Sequence, residues 1–538
     1  MKKVVLIVSL FTLALLQGCQ SDDSSSTVGQ DSKVILNTDV QTLGNRMDYT
    51  NSGVINLVRP EGESGRSALT TVDSSFPMSL LGQINPPSYN GHTLKATHID
   101  VKDNYVYVSY NTQGDTYLGG IDVIDISNPN NPVLVVQAIL PNTDISTVVY
   151  NNGSLYITGA TDVDSNSTLS SPAFVAKMPL QAGLLTSNYA STSLVGQVGT
   201  GLAVADSKYY TVSGSNGVVS KLDKTTNLVE TTIAIGDLRA LGYISNKIVV
   251  LSGTEGVKVF NADNLALQSS FATPTDVAEA KRTLDFQGNN VLVSAGYQGL
   301  KVYNLASGSL QQSISVPSVS SGIDQADIVT NAVSVNGDYV YVANGAAGVF
   351  VYKTINGSLT LLGSIPLLGS ANYVKSVGDY IFVATGNGGL KIIKKVAVSS
   401  IDCTSFPVYT GGQWLNVNSN ETLNYQGSAA LTGVNVNANL TFCGSLSVSQ
   451  GLNVNSNGVF TMKGSLAQGQ NNSGNALIVN GTMKIEGSVV IYGNLILNSN
   501  AHLEFLGAGS SITIYGNVTK NTGVTITGTY LDTFNKLN

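Results

Sequence analysis

His98 and Asp100 stand two residues apart, and Asp122 and Asp125 follow shortly after. Imidazole nitrogens and carboxylate oxygens are the donors a divalent metal takes. In a strand, residues two apart share a face, so His98 with Asp100 could begin a ligand set. One strand cannot complete such a set without partners from other strands. The four residues read better as strand-edge and turn positions, and neither a metal nor a cofactor is assigned. Asp162, Asp164 and Asn166 alternate as the first ligands of a calcium loop do. An EF-hand loop also needs Gly at its sixth position and Glu at its twelfth, where this chain has Ser167 and Ala173. The segment reads as an Asx-rich surface loop. The remaining histidines are His92 and His502. No H-E-x-x-H, C-x-x-C, G-x-S-x-G or P-loop pattern occurs, so no catalytic residue is assigned.

Three cysteines remain to be placed. Cys19 closes an N-terminal stretch in which Lys2 and Lys3 precede an uncharged apolar run, Val4 to Leu16. That run is too short for a bilayer core, which takes about 20 residues. Leu16-Gln17-Gly18-Cys19 resembles the lipobox of bacterial lipoproteins. The resemblance implies that residues 1–18 are a cleaved signal peptide and that Cys19 is acylated, making the membrane a partner through a lipid anchor. Several acyl chains give lasting anchorage where one is marginal. Gln20 to Ser32 is polar and rich in Ser and Asp, and residues 19–75 are read as the lipidated cysteine and a flexible tether. Cys19-Gln-Ser-Asp-Asp23 is similar to the acidic export signal of surface lipoproteins of the Bacteroidota. The expected location is the cell envelope, anchored at the outer membrane, with the cell-surface and periplasmic sides both open. Cys403 and Cys443 form an even pair in an oxidising compartment; a disulfide and two separate buried thiols both stay open.

Charged residues make up only 11% of the chain, and Tyr (24) outnumbers Phe (13). Such a profile suits an exported all-β protein with many turns. A hydrophobic content of 42% excludes general disorder. The net charge of −7 supplies no basic patch, so nucleic acid is not an expected partner.

The elements that must position these residues appear as repeats. A Tyr/Val/Ile-alternating strand recurs, as in Asn104-Tyr-Val-Tyr-Val108 and Asp338-Tyr-Val-Tyr-Val342. A Gly turn and a second alternating strand follow, as in Gly256-Val-Lys-Val-Phe-Asn261 and Gly299-Leu-Lys-Val-Tyr-Asn304. Spacings of 39 to 54 residues between these first strands match propeller blades, and the recurrences predict a seven-bladed β-propeller over residues 76–396. The last repeat lacks an outermost strand. Leu80-Leu-Gly-Gln-Ile84 nearly duplicates Leu361-Leu-Gly-Ser-Ile365, so the N-terminal segment is expected to complete the last blade. Gly120-Ile-Asp-Val-Ile-Asp-Ile-Ser-Asn-Pro129 resembles the LVIVD-repeat family of exported bacterial propellers. That resemblance implies the architecture and carries no chemistry with it.

Residues 397–538 change rhythm to short strands with Gly and Asn corners, as in Val489-Val-Ile-Tyr-Gly493 and Ile512-Thr-Ile-Tyr-Gly516. The pattern predicts a parallel β-solenoid, with a small β-sandwich as the alternative. It is similar to the solenoids of bacterial adhesins and bactofilins. Trp414 is expected to pack the first solenoid turn. The expected function is non-enzymatic binding, in adhesion or assembly, with a protein or glycan partner at the cell surface. A hydrolase or lyase in the propeller channel, or an accessory subunit of an outer-membrane complex, are the alternatives. The insertion Thr161 to Ser171 is read either as part of a partner-contact surface or as a tolerated surface insertion, and both stay open.

Overall fold

The computed structural model describes residues 34–50, 52–58, 76–112, 114, 116–166, 168–275, 281–317, 323–396 and 403–538. The signal 1–18 and Cys19 lie outside the described residues. The chain is nearly all β: seven sheets form a ring of blades, and two parallel sheets then stack into a solenoid.

The strands that alternate most cleanly are the second and third of each blade. Tyr105–Asn111 shows why. Val106, Val108 and Tyr110 pack with Phe382 and Ile392 of blade seven, whereas Tyr107 packs with Ile157 and Met178 of blade two. Each strand is therefore buried on both faces, between two neighbouring blades, and each fully buried large apolar side chain contributes about 1.5–3 kcal/mol. The innermost strands are Lys95–Lys102, Thr143–Asn151, Gly201–Val204, Leu238–Ile244, Leu284–Gln287, Ala332–Asn336 and Tyr373–Val377. They line the central channel.

Ring closure follows the expected route. Met78–Ile84 pairs antiparallel with Leu390–Lys395 as the outermost strand of blade seven. Gly389 permits the approach: its φ is +68°, and a Cβ there would stand 1.9 Å from the Ile84 carbonyl oxygen.

The tether expected over 19–75 is corrected for residues 34–58. Ile35–Asn37 adds a fifth strand to blade one, and Met47–Asp48 and Gly53–Ile55 both pair with Met78–Ile84. This segment carries little periodicity of its own. It is held by edges that the propeller supplies and by apolar anchors such as Leu43 and Leu57, each 1% exposed. Arg46 adds a charged bolt. Its guanidinium meets both carboxylate oxygens of buried Asp122, at 2.9 and 2.5 Å, and donates to Gln137 Oε1 and the Asn85 carbonyl.

In the solenoid, four-residue strands such as Ala476–Val479 alternate with ten-residue strands such as Thr482–Ile491. Each ten-residue strand bends at a glycine, and Gly427, Gly444, Gly464 and Gly487 stack in register with φ between +101° and +125°. Asparagine side chains climb from rung to rung along the short strands, as in Asn435 to Asn416 and Asn453 to Asn435, and at the corners, as in Asn455 to Asn437 and Asn498 to Asn480. Leu, Val, Ile and Phe side chains fill one continuous core. Trp414 corrects the expectation placed on it. It sits in the first rung but points outward, 48% exposed, with its ring against Gly433.

The N-terminal segment also joins the two domains. Gly53 passes so close to the solenoid that a Cβ would lie 3.0 Å from the Ala467 side chain. The Tyr492 hydroxyl donates to the Ser52 carbonyl, and Ser79 meets Ser465 at 3.4 Å.

Candidate functional site

The propeller channel gathers more titratable groups than the sequence pattern suggested. His98 and Asp100 come from the innermost strand of blade one, Lys281 and Asp285 from blade five, and Tyr373 and Lys375 from blade seven. Asp122 and Asp125 are not among them. Asp122 lies on the third strand of blade one and faces Arg46, and Asp125 accepts the Ser127 N–H in a turn. The four-residue set considered from sequence is thus split: period-2 alternation and strand order put its halves in different layers. Among the described residues, no group of three His, Cys, Asp or Glu is placed to hold a metal ion.

Bulges shape the channel wall. The innermost strands of blades one and two skip register between Ala96 and His98 and between Ile145 and Thr147. The bulged residues are Thr97 and Ser146. A bulge re-aims the groups at that point, and here the Thr97 and Ser146 carbonyls both receive the Lys281 ammonium from across the channel. Lys281 Nζ also lies 5.0 Å from the Tyr373 ring centroid, and the Tyr373 ring lies 4.2 Å from that of His98.

Burial sets the protonation of this cluster. It pushes Lys281 down to about 7. Desolvation, with help from Lys281 and Lys375, holds His98 well below its usual range. Burial raises Asp100 and Asp285, and Lys375 with backbone N–H groups pulls each back part of the way. The Tyr373 hydroxyl is raised by burial and by the two carboxylates.

The carboxylates have a definite task. Asp100 accepts the Tyr150 N–H of blade two at 2.7 Å, and Asp285 accepts the Val335 N–H of blade six at 2.8 Å. Hydroxyls make the equivalent ties elsewhere: Thr97 to the Ile145 carbonyl, Thr147 to Thr200, Thr200 to Leu238, and the Ser376 N–H to Ser334. Neighbouring innermost strands are stitched side chain to backbone. Those ties escape sequence reading, because a lone Asp or Thr at an innermost strand carries no motif.

The insertion 161–171 is folded onto blade two. Asp162 accepts the Asp164 N–H and the Ser165 hydroxyl, Asn166 and Leu169 are buried, and Ser171 donates to the Leu194 carbonyl. The side-chain oxygens of Asp162 and Asn166 serve the loop itself. Cys403 and Cys443 are joined by a disulfide, with Cα atoms 6.2 Å apart. It fastens the start of the second domain to a solenoid rung.

The LVIVD repeat matches residues 95–138, 329–351 and 368–394, which fall in blades one, six and seven. The chain therefore carries LVIVD repeats within a seven-bladed propeller joined to a parallel solenoid. No curated protein matches it in sequence. Among solved structures it is similar to U3-55K, at 14% identity over 58% of this chain and 98% of that one, with a TM-score of 0.43. The WD40 propeller domain of Doa1 follows at 13% identity, with 60% and 97% covered and a TM-score of 0.42. The computationally designed Ika8 protein matches at 15% identity, with 63% and 99% covered and a TM-score of 0.39.

Proposed function

We propose that the chain is a lipid-anchored envelope protein whose propeller and solenoid act together as a non-enzymatic binding module, in adhesion or assembly. The observation that supports this most is the use made of the channel's acidic groups. Asp100 and Asp285 tie blade to blade, as threonine and serine hydroxyls do elsewhere in the ring. A carboxylate occupied in that way is a poor general base. The segment 34–58 fixes both domains to each other, which suits a rigid display unit whose loops meet a partner. Lipid anchorage rests on the lipobox-like Leu16-Gln-Gly-Cys19.

The test compares the native chain with Cys19→Ser in fractionated cells, and then compares capture of envelope partners by the two. Cys19→Ser is expected to leave the membrane fraction and to keep partner binding in its soluble form. Membrane retention of that variant removes the anchor; absence of any partner for either form removes the binding module.

One observation favours an enzyme of the propeller channel as a second reading. Lys281, with its pKa near neutrality beside Tyr373 and His98, has the character of a catalytic amine. A hydrolase or lyase activity lost in Lys281→Met but kept when the membrane anchor is removed would establish it.

A further inference from the structure

A cleft of about 730 Å³ opens where the N-terminal segment meets the solenoid. One wall is Tyr492 and Tyr515. Each directly follows the long-strand half of its rung, and those halves pair in register through Ile491 and Ile514, so the rings sit one above the other. Their centroids are 5.1 Å apart and their planes differ by 17°. The equivalent positions in the two preceding rungs are Ser449 and Gly469, so the aromatic pair is not a repeat feature carried by those rungs. Tyr49, from that segment, completes the surface 6.2 Å from Tyr515.

The wall is fixed in place. Tyr492 is held through its hydroxyl to the Ser52 carbonyl, and Phe534 abuts Tyr515 edge-on at 5.5 Å. Burial pushes the Tyr515 hydroxyl up to about 12, so the ring stays neutral in any physiological medium. The opposite rim is polar. Asn45, Asn85 and Ser473 are exposed, and their side chains make no hydrogen bond to the described residues. Asp48 also borders the cleft, but its oxygens are taken by Thr50 and Gln83. The residues lining the cleft include no lysine, arginine or histidine.

An aromatic wall facing uncommitted amide and hydroxyl groups, with no cation, has a defined chemical preference. Tyrosine faces accept the weakly polar C–H face of a pyranose ring, and amides bond its equatorial hydroxyls. An anionic ligand would meet the Asp48 carboxylate, while the nearest cations are already engaged, Arg46 by Asp122 and Lys536 by the Tyr515 and Gly516 carbonyls. We propose that this cleft binds a neutral oligosaccharide, with a sugar ring against the tyrosines and its hydroxyls on Asn45, Asn85 and Ser473. The proposal rests on the binding-module reading and names its ligand class. Because the N-terminal segment and the solenoid each contribute one wall, the site exists only in the docked molecule.

The experiment uses the full chain carrying Cys19→Ser, titrated by calorimetry and saturation-transfer NMR with cellohexaose, mannohexaose and laminarihexaose. Hexagalacturonate serves as the anionic control. At least one neutral hexasaccharide is expected to bind saturably, and hexagalacturonate is not. Tyr515→Ala is expected to weaken binding about tenfold, the size of one lost stacking contact. Asn85→Ala, at an exposed side chain that leaves the fold intact, is expected to weaken it about threefold. Tyr297→Ala, an exposed tyrosine on the propeller, is expected to change nothing. Failure of all three neutral sugars to bind overturns the proposal, as does equal affinity in Tyr515→Ala and Asn85→Ala. If the sugars fail while envelope partners are still captured, the cleft is wrong and the binding module stands.

Discussion

The propeller and the solenoid solve the same problem in opposite ways. Both are built of repeated β units that cannot bury their own apolar faces. The propeller bends its repeats into a ring, so its core is divided into clusters between blades, and the first and last blades must be matched across the whole sequence. The solenoid stacks its repeats in a line. Its core is a single column, and each rung needs only its neighbours. The ring tolerates varied residues at a given blade position, because each interblade cluster is packed separately. The column demands near-identity at certain positions, as the stacked glycines and the asparagine ladder show. Closure makes the ring all-or-none, and stacking makes the column graded.

The largest expected effect tests that difference directly. Deleting Met78–Ile84 opens blade seven and removes the buried side chains of Met78, Leu80, Leu81 and Ile84. Loss of soluble, cooperatively melting protein is expected, because edge exposure and core loss act together. Removing the last solenoid residues, 525–538, should instead lower Tm by several degrees and keep the far-UV dichroism of the remaining rungs. Equal melting behaviour of the two truncations would erase the distinction. A smaller effect separates the two kinds of glycine. Gly464→Ala places a Cβ 2.0 Å from the Gly444 carbonyl oxygen at φ +125°, and is expected to cost about 3 kcal/mol or more in urea unfolding. Gly337→Ala, in a propeller hairpin with φ +61° and open space around it, is expected to cost about 1 kcal/mol.

The smallest effect probes the channel. The Lys281 pKa lies near 7 in the folded chain and at 10.5 in the unfolded one. The unfolded state therefore holds more protons between those values, so stability rises with pH across that window and the full penalty applies below it. Between pH 7 and 8 the native chain should gain on the order of 1 kcal/mol relative to Lys281→Met. Parallel pH profiles for the two proteins would show that the ammonium is well solvated.

Much of this architecture was legible in the residues. Alternation such as Tyr105-Val-Tyr-Val108 marks a strand buried on two faces, and the match between Leu80–Ile84 and Leu361–Ile365 disclosed the closing strand, because equivalent packing sites demand equivalent side chains. The short apolar strands with Gly and Asn corners after residue 400 disclosed the stack for the same reason. Residues 34–58 were illegible as structure, since their order comes from partners such as Asp122, 76 residues beyond Arg46. The channel was half legible. His98 and Asp100 drew attention by type, while Asp285, Tyr373 and Lys375 belong to short innermost strands with no shared pattern, and Lys281 precedes one of them. Only closure of the ring brings them together. The tyrosine cleft lay further out of reach, because it depends on a second docking of the N-terminal segment.

The closing strand also sets an order in time. Gln83 and Lys391 are partners across the closure, 308 residues apart in the chain. Met78–Ile84 leaves the ribosome early and has no edge to join until residues 390–395 follow. At about 5–20 residues per second that interval is roughly 15–60 s. During it the chain holds an unpaired apolar strand at its front and an open sheet edge at its growing end, the two features that most invite misassembly. Such a protein has reason to stay unfolded, and escorted, until its whole length is available.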